Sequence, residues 1–239
     1  MPAANSTCLI LVPAFMPLAP RCEEGLRELE KKGYPVRRVR GFSAIDQGRN
    51  QMASDAVFEK CAETMWIDPD IGFDIKDVER IRSHGLPIVC GIYAQTRGRS
   101  LACHLLPGTQ EVVFGKEGGL LEILYAAAGF LHVRREAYET IRDKLQLPLC
   151  NTRFGRGVWP FFQPLAVPLN GSDAEETSGM PSHHYLTEDY AFSYRARQAG
   201  LRIMADTTIR LWRAGSYGYG WEDAGSEQQR FDTFHFHVD

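Results

Sequence analysis

The feature that most constrains this chain is the alternation, through residue 93, of short apolar runs with helical stripes. Residues 9–12, Leu-Ile-Leu-Val, form an unbroken apolar run ending in prolines, the pattern of a strand buried on both faces. Between residues 22 and 32, Leu26 and Leu29 recur at helical spacing and Gly33 supplies the stop. Residues 34–40 read as the next strand. Asp46 then stands where a helix cap belongs, and Met52, Ala53, Ala56 and Val57 carry that helix to Cys61. Residues 64–67 are another buried run, after which Asp74 and Asp77 frame a helix start, Val78 and Ile81 face inward, and Gly85 closes the helix. Residues 86–93 supply one more strand.

Such alternation predicts an α/β fold, Rossmann-like, with three α/β/α layers around a mixed, mostly parallel sheet. Ligands of such sheets gather at the carboxyl ends of the strands. With 239 residues, 44% of them hydrophobic, the chain can bury one sizeable core, so a single domain spanning residues 1–239 is expected. The second half is less regular. Strands are expected at 120–126 and 130–133, a helix at 135–145, a Pro- and Gly-rich stretch without pattern at 146–183, a helix at 187–198 closed by Gly200, and strands at 201–205 and 208–212.

Charge and composition exclude several classes. A net charge of -3 with no long run of Lys or Arg offers no broad footprint for nucleic acid or an anionic membrane. The apolar stretch at residues 8–18 is broken by Pro13 and Pro17 and is too short to cross a bilayer, so no transmembrane segment is expected. Six cysteines with neither C-x-x-C pairs nor crowding point to reduced thiols and a cytoplasmic location.

Two acidic motifs carry chemistry. Asp68-Pro69-Asp70 follows an apolar strand, and extended alternation would put both carboxylates on one side of the chain. Oxygen ligands so placed suit Mg²⁺ or Mn²⁺, which complete their shells with substrate phosphates. Asp and Pro also favour turns for backbone reasons, which is the competing reading. Glu188-Asp189 opens a later helix. Acids there stabilise the helix dipole by about 0.3–1 kcal/mol in any protein, and they can equally serve as a general base. Trp159, Phe161, Phe162, Tyr185, Tyr217, Tyr219 and Trp221 concentrate in the loop-rich half, where a sugar face can stack, although core packing is their commoner use.

An apolar strand ending in Asp68-Pro69-Asp70, after repeated strand and helix units, resembles the D-x-D metal-binding motif of GT-A glycosyltransferases. The helix start at Glu188-Asp189 resembles the E-D motif of family-2-like inverting members, and the Gly129 strand falls between the two as in that family. The resemblance runs over residues 9–221. It implies a GT-A fold and transfer of a sugar from a nucleotide diphosphate, UDP by family prior, to an unidentified acceptor hydroxyl with inversion. Mn²⁺ or Mg²⁺ would sit on Asp68 and Asp70, and Asp189, with Glu188 as the alternative, would act as base. The donor site would draw on Val12, Pro13 and Ala14 at the nucleotide base, on Asp46, Arg49 and Asn50 at a helix start, and on Pro69, Gly129 and Arg213. Residues 1–100 would be the nucleotide-binding part and 101–239 the acceptor-binding part.

Arg213 departs from the pattern, standing where the family often has a metal-ligating His. A guanidinium cannot ligate a cation, but it pairs well with a diphosphate. His235 or His237, sharing one face of an extended tail, would be the substitute ligands. Arg213 also motivates a different reading, a catalytically silent nucleotide- or carbohydrate-binding module. A sugar nucleotidyltransferase is the third, but it would ordinarily carry a Gly-rich basic loop where residues 13–17 read Pro-Ala-Phe-Met-Pro.

Overall fold

Strand β1 (Cys8–Pro13) divides its side chains between the two faces of a sheet, with Cys8, Ile10 and Val12 on one face and Leu9 and Leu11 on the other. That division follows from the period of two along an extended chain, and the apolar residues on both faces require a layer of helices on each. The structure, a computed structural model, describes residues 4–95, 100–168, 183–215 and 217–225. After β1 come α1 (Pro20–Lys31), β2 (Val36–Val39), α2 (Ile45–Phe58), β3 (Glu63–Ile67), β4 (Ile71–Gly72), α3 (Ile75–Ser83) and β5 (Ile88–Gly91). The chain continues with β6 (Cys103–Leu105), β7 (Leu120–Ala126), β8 (Phe130–Arg134), α4 (Arg135–Lys144), β9 (Leu165–Pro168), β10 (His183–Leu186), α5 (Glu188–Gln198), β11 (Ile203–Asp206), β12 (Trp212–Ala214) and β13 (Gly218–Tyr219).

Eight strands form the central sheet in the order β2-β1-β3-β8-β5-β11-β7-β6. Six of them run one way, while β7 and β8 run against their neighbours, so the sheet is mixed. Helices α1 and α3 cover one face through Cys22, Leu26, Leu29, Val78 and Ile81. Helices α2, α4 and α5 cover the other, where Trp66, Tyr138, Phe162 and Phe192 are fully buried. Burying a side chain of that size contributes about 1.5–3 kcal/mol. Trp66 keeps its indole N–H satisfied by donating to the Tyr138 hydroxyl at 2.8 Å.

Local chemistry explains where the elements depart from their expected bounds. Ala44 is the residue preceding α2, and Asp46 lies inside its first turn, where an acid still favours the helix dipole. The strand expected at 208–212 begins only at Trp212, because Asp206 Oδ1 accepts both the N–H and the hydroxyl of Thr208 and turns the chain there. The patternless stretch contains β9, paired antiparallel with β10, and an antiparallel bridge between Cys150 and Val158. Strand β6 was not expected. Of the stretch, residues 169–182 lie outside the described residues.

Candidate active site

Strand β3 delivers Asp68 to the carboxyl edge of the sheet. The Asp68 N–H donates to the Gly129 carbonyl at 3.0 Å, and the Gly129 N–H donates to the Tyr93 hydroxyl at 3.1 Å. Only glycine permits this approach, since a Cβ at residue 129 would lie 2.3 Å from the Tyr93 oxygen and 3.1 Å from Asp68 Oδ2. Residues 68–71 make a tight turn, with the Ile71 N–H donating to the Asp68 carbonyl at 3.1 Å, rather than the extended segment expected from alternation. The proline and the two short Asp side chains explain that choice. Both carboxylates are nevertheless buried.

Each carboxylate meets an arginine from a distant element. Arg49 is 2% exposed on the inner side of α2, lies 5.6 Å from the centre of the Trp66 ring, and donates from Nη2 to Asp68 Oδ1 at 2.7 Å. Its Nε is 3.5 Å from Glu188 Oε1, an ion pair too long for a hydrogen bond. Arg213 is carried on β12, which pairs antiparallel with β4, and donates from Nε to Asp70 Oδ2 at 2.9 Å. Asp70 Oδ1 is buried and has no hydrogen-bond partner among the described residues. At the start of α5, Asp189 Oδ1 accepts the Thr187 hydroxyl at 2.9 Å and the Tyr190 N–H at 2.8 Å.

Arg49, Asp68, Glu188, Asp189 and Arg213 border a cleft of 640 Å³ whose walls also include Phe15, Phe42, Tyr93, Gln95, Thr187 and Tyr190. With Asp70 behind the wall on Arg213, four carboxylates, those of Asp68, Asp70, Glu188 and Asp189, meet two guanidinium groups, leaving acids in excess of arginines by two. Burial pushes Asp70, Glu188 and Asp189 above the usual carboxylate range, and the Asp68 charge adds to it, against the pull of Arg213 on Asp70 and of Arg49 on the other two. A divalent cation fits this donor set: the oxygens are hard, one on Asp70 is orphaned, and the charge excess matches. Another grouping of possible ligand atoms, Cys8, Glu63 and His132, lies away from the cleft, and its Glu63 carboxylate is already engaged by Arg82.

The chain is similar in fold to A197 from STIV. The crystal structure of that protein matches with a TM-score of 0.53 at 15% identity, covering 87% of this chain and 86% of that one, which is a likeness of fold alone. A structure of GalNAc-T7 with UDP, GalNAc and Mn²⁺ matches with a TM-score of 0.44 at 11% identity over 90% of this chain and 45% of that one. S. aureus TarS 1-349 matches with a TM-score of 0.39 at 12% identity over 90% and 61%. At those scores neither bears on what this chain does. No protein-family model matches the sequence, and no curated protein matches it.

Of the residues nominated from sequence, Arg49, Asp68, Glu188, Asp189 and Arg213 line the cleft together, and Asp70 stands behind them on Arg213. Val12 is packed in the core, and Phe15, not Val12, Pro13 or Ala14, forms the cleft wall after β1. Pro69 accepts the Ala19 N–H through its carbonyl at 2.8 Å. Asp46 and Asn50 line a neighbouring pocket on the other side of Phe42. His235 and His237 lie outside the described residues. Tyr93 and Gln95 were missed, although their place just beyond a strand's carboxyl end was the available signal.

Proposed function

We propose that this chain is a nucleotide-sugar glycosyltransferase of the GT-A type that transfers with inversion to an acceptor hydroxyl. The observation that carries the reading is the convergence in one cleft of Asp68 with the raised acids Glu188 and Asp189, with Asp70 behind them on the cleft-lining Arg213. A divalent cation held by the open oxygens of Asp68 and Asp70 would neutralise charge on the diphosphate. Arg213, which lines the same cleft, would meet the diphosphate with a charge-assisted contact. Arg49 holds Asp68 in position from inside the core.

Asp189 is the better base of the two acids: the Arg49 charge acts on both, but Arg49 Nε lies 3.5 Å from Glu188 Oε1, whereas the two hydrogen bonds that Asp189 accepts both fall on Oδ1. As the acceptor oxygen bonds to the anomeric carbon, its proton passes to Asp189 and the carbon–oxygen bond to the diphosphate breaks, with the electron pair leaving on the diphosphate. The cleft walls up to Gln95, together with Arg213, would serve the donor and those from Thr187 to Tyr190 the acceptor, within one domain.

Calorimetric titration with UDP and with GDP, each in Mn²⁺ and in EDTA, tests the donor site. Metal-dependent binding that disappears in a folded Asp70→Ala protein supports it, and equal binding by that variant removes the metal role. The ion pair between Arg213 and Asp70 favours the silent-module reading, which predicts donor binding without nucleoside diphosphate release under any acceptor supplied.

A further inference from the structure

Beyond the transfer site, we infer that the pocket on the far side of Phe42 is a second site, built to bind a neutral saccharide. It has a volume of 590 Å³, and five of the side chains lining it are carboxamides: Gln47, Asn50, Gln51, Asn151 and Gln163. A carboxamide offers both donors and an acceptor, as a sugar hydroxyl does, so adjacent amides match adjacent hydroxyls in either direction. Among the described residues neither Lys nor Arg lines this pocket, and the one charged group there is the carboxylate of Asp46, which disfavours phosphate and other anions and can accept from hydroxyls. Phe42 supplies an aromatic wall on which the C–H face of a sugar ring can rest.

Two of the five amide side chains, those of Asn50 and Gln51, are set in advance by hydrogen bonds, and the backbone that carries a third, Asn151, is fixed. Asn50 is buried, and its Oδ1 accepts the Phe162 N–H at 2.6 Å, which leaves its amide donors to the pocket side of that bond. Gln51 Nε2 donates to Asp55 at 3.0 Å, leaving its carbonyl as acceptor. Asn151 takes a left-handed conformation with φ 60°, in a loop closed by the mutual backbone hydrogen bonds of Cys150 and Val158 at 2.9 Å. The Phe42 wall depends on Gly48, since a Cβ there would come within 2.6 Å of the ring. Pre-oriented polar groups around a concave site lower the ordering cost of binding.

The proposal does not rest on the transferase reading, and its test is separate. Malto-, cello-, chito- and mannohexaose, with hexagalacturonic acid as the acidic control, are titrated calorimetrically at millimolar concentration into the wild-type chain. At least one neutral hexaose binds, the acidic one does not, and Asp70→Ala leaves the affinity unchanged. The Gln47→Leu/Gln51→Leu variant, on a helix that tolerates leucine, weakens binding by about tenfold or more. Asn151→Gly removes another amide while retaining the left-handed backbone and weakens it by about threefold or more. No binding of any neutral hexaose, preference for the acidic one, or undiminished binding by both variants overturns the proposal.

Discussion

Glu63 opens β3 and Asp70 lies just past its other end, yet the two carboxylates sit in opposite electrostatic settings. Glu63 accepts from Arg82 Nε at 2.7 Å and sits 3.1 Å from His132 Nε2, and Arg82 donates in turn to the Tyr34 hydroxyl at 3.0 Å. Burial alone would raise the Glu63 carboxyl, but the hydrogen bonds from His132 and Arg82 bring it down to about 2. At the other end, Asp70, Glu188 and Asp189 are raised, because burial and neighbouring acids outweigh two arginines. One sheet thus carries, at one end, a Glu63 carboxylate engaged by Arg82 and His132, with His132 Nδ1 the one buried atom of that trio left without a hydrogen-bond partner among the described residues, and, at the other, a cleft in which acids outnumber arginines. Carboxylates shifted by burial and like charge in a cleft mark a candidate functional site, and carboxylates paired as Glu63 is are common in structural clusters.

The contrast is broken most severely at the cleft. Asp189→Asn is expected to lower transfer by about a thousandfold while leaving the melting temperature unchanged or higher, as read by nucleoside diphosphate release and thermal unfolding. An active Asn variant would remove Asp189 from the chemistry. Next in size, Glu63→Ala leaves Arg82 and His132 without their carboxylate and should cost about 3 kcal/mol in urea unfolding, with turnover per folded molecule retained. A Glu63→Ala protein that is stable but inactive would mean that the two ends are not separate.

Gly48→Ala sharpens the comparison from a third position. The added methyl must displace the Phe42 ring, which separates the cleft from the amide-lined pocket, at a cost of about 1–3 kcal/mol. Ligand affinity in both should fall together, and a change in one alone would show that Phe42 is not a shared wall.

The smallest effect is the most diagnostic, because the two ends should respond to pH with opposite sign. Glu63 has its folded value depressed, so its contribution is complete above pH 4.5 and is lost as pH falls towards 2. The deficit of Glu63→Gln should therefore shrink on acidification through that window. Asp189 has its folded value raised above 3.8, so the wild type loses stability as pH rises from 3.8 through that raised value. Asp189→Asn should be the more stable protein near neutrality, and the difference should vanish below pH 3.8. Denaturant midpoints across pH 2.5–8 for both variants give the two slopes, and slopes of one sign would refute the contrast.

What the sequence determined by itself was local. The period of two in β1, the helical stripes of α1 and α3, and Gly33 and Gly85 past their ends all act over a few residues, where backbone preference and side-chain spacing suffice. The same holds for the acids of residues 68–70 and 188–189 and for the unusual Arg213. The turn at residues 68–71 and the late start of β12 were less legible, since the first is closed by a backbone hydrogen bond from Ile71 to Asp68 and the second by the Asp206 side chain capturing Thr208, and neither choice follows from side-chain periodicity. Tertiary structure alone decided the partners: Arg49 for Asp68 across 19 residues, Arg213 for Asp70 across 143, and Arg82 and His132 for Glu63. It also decided that Asn50 turns away from the cleft into a second pocket. Those pairings follow from strand order and helix packing, which depend on contacts summed over the whole chain, so no local pattern encodes them.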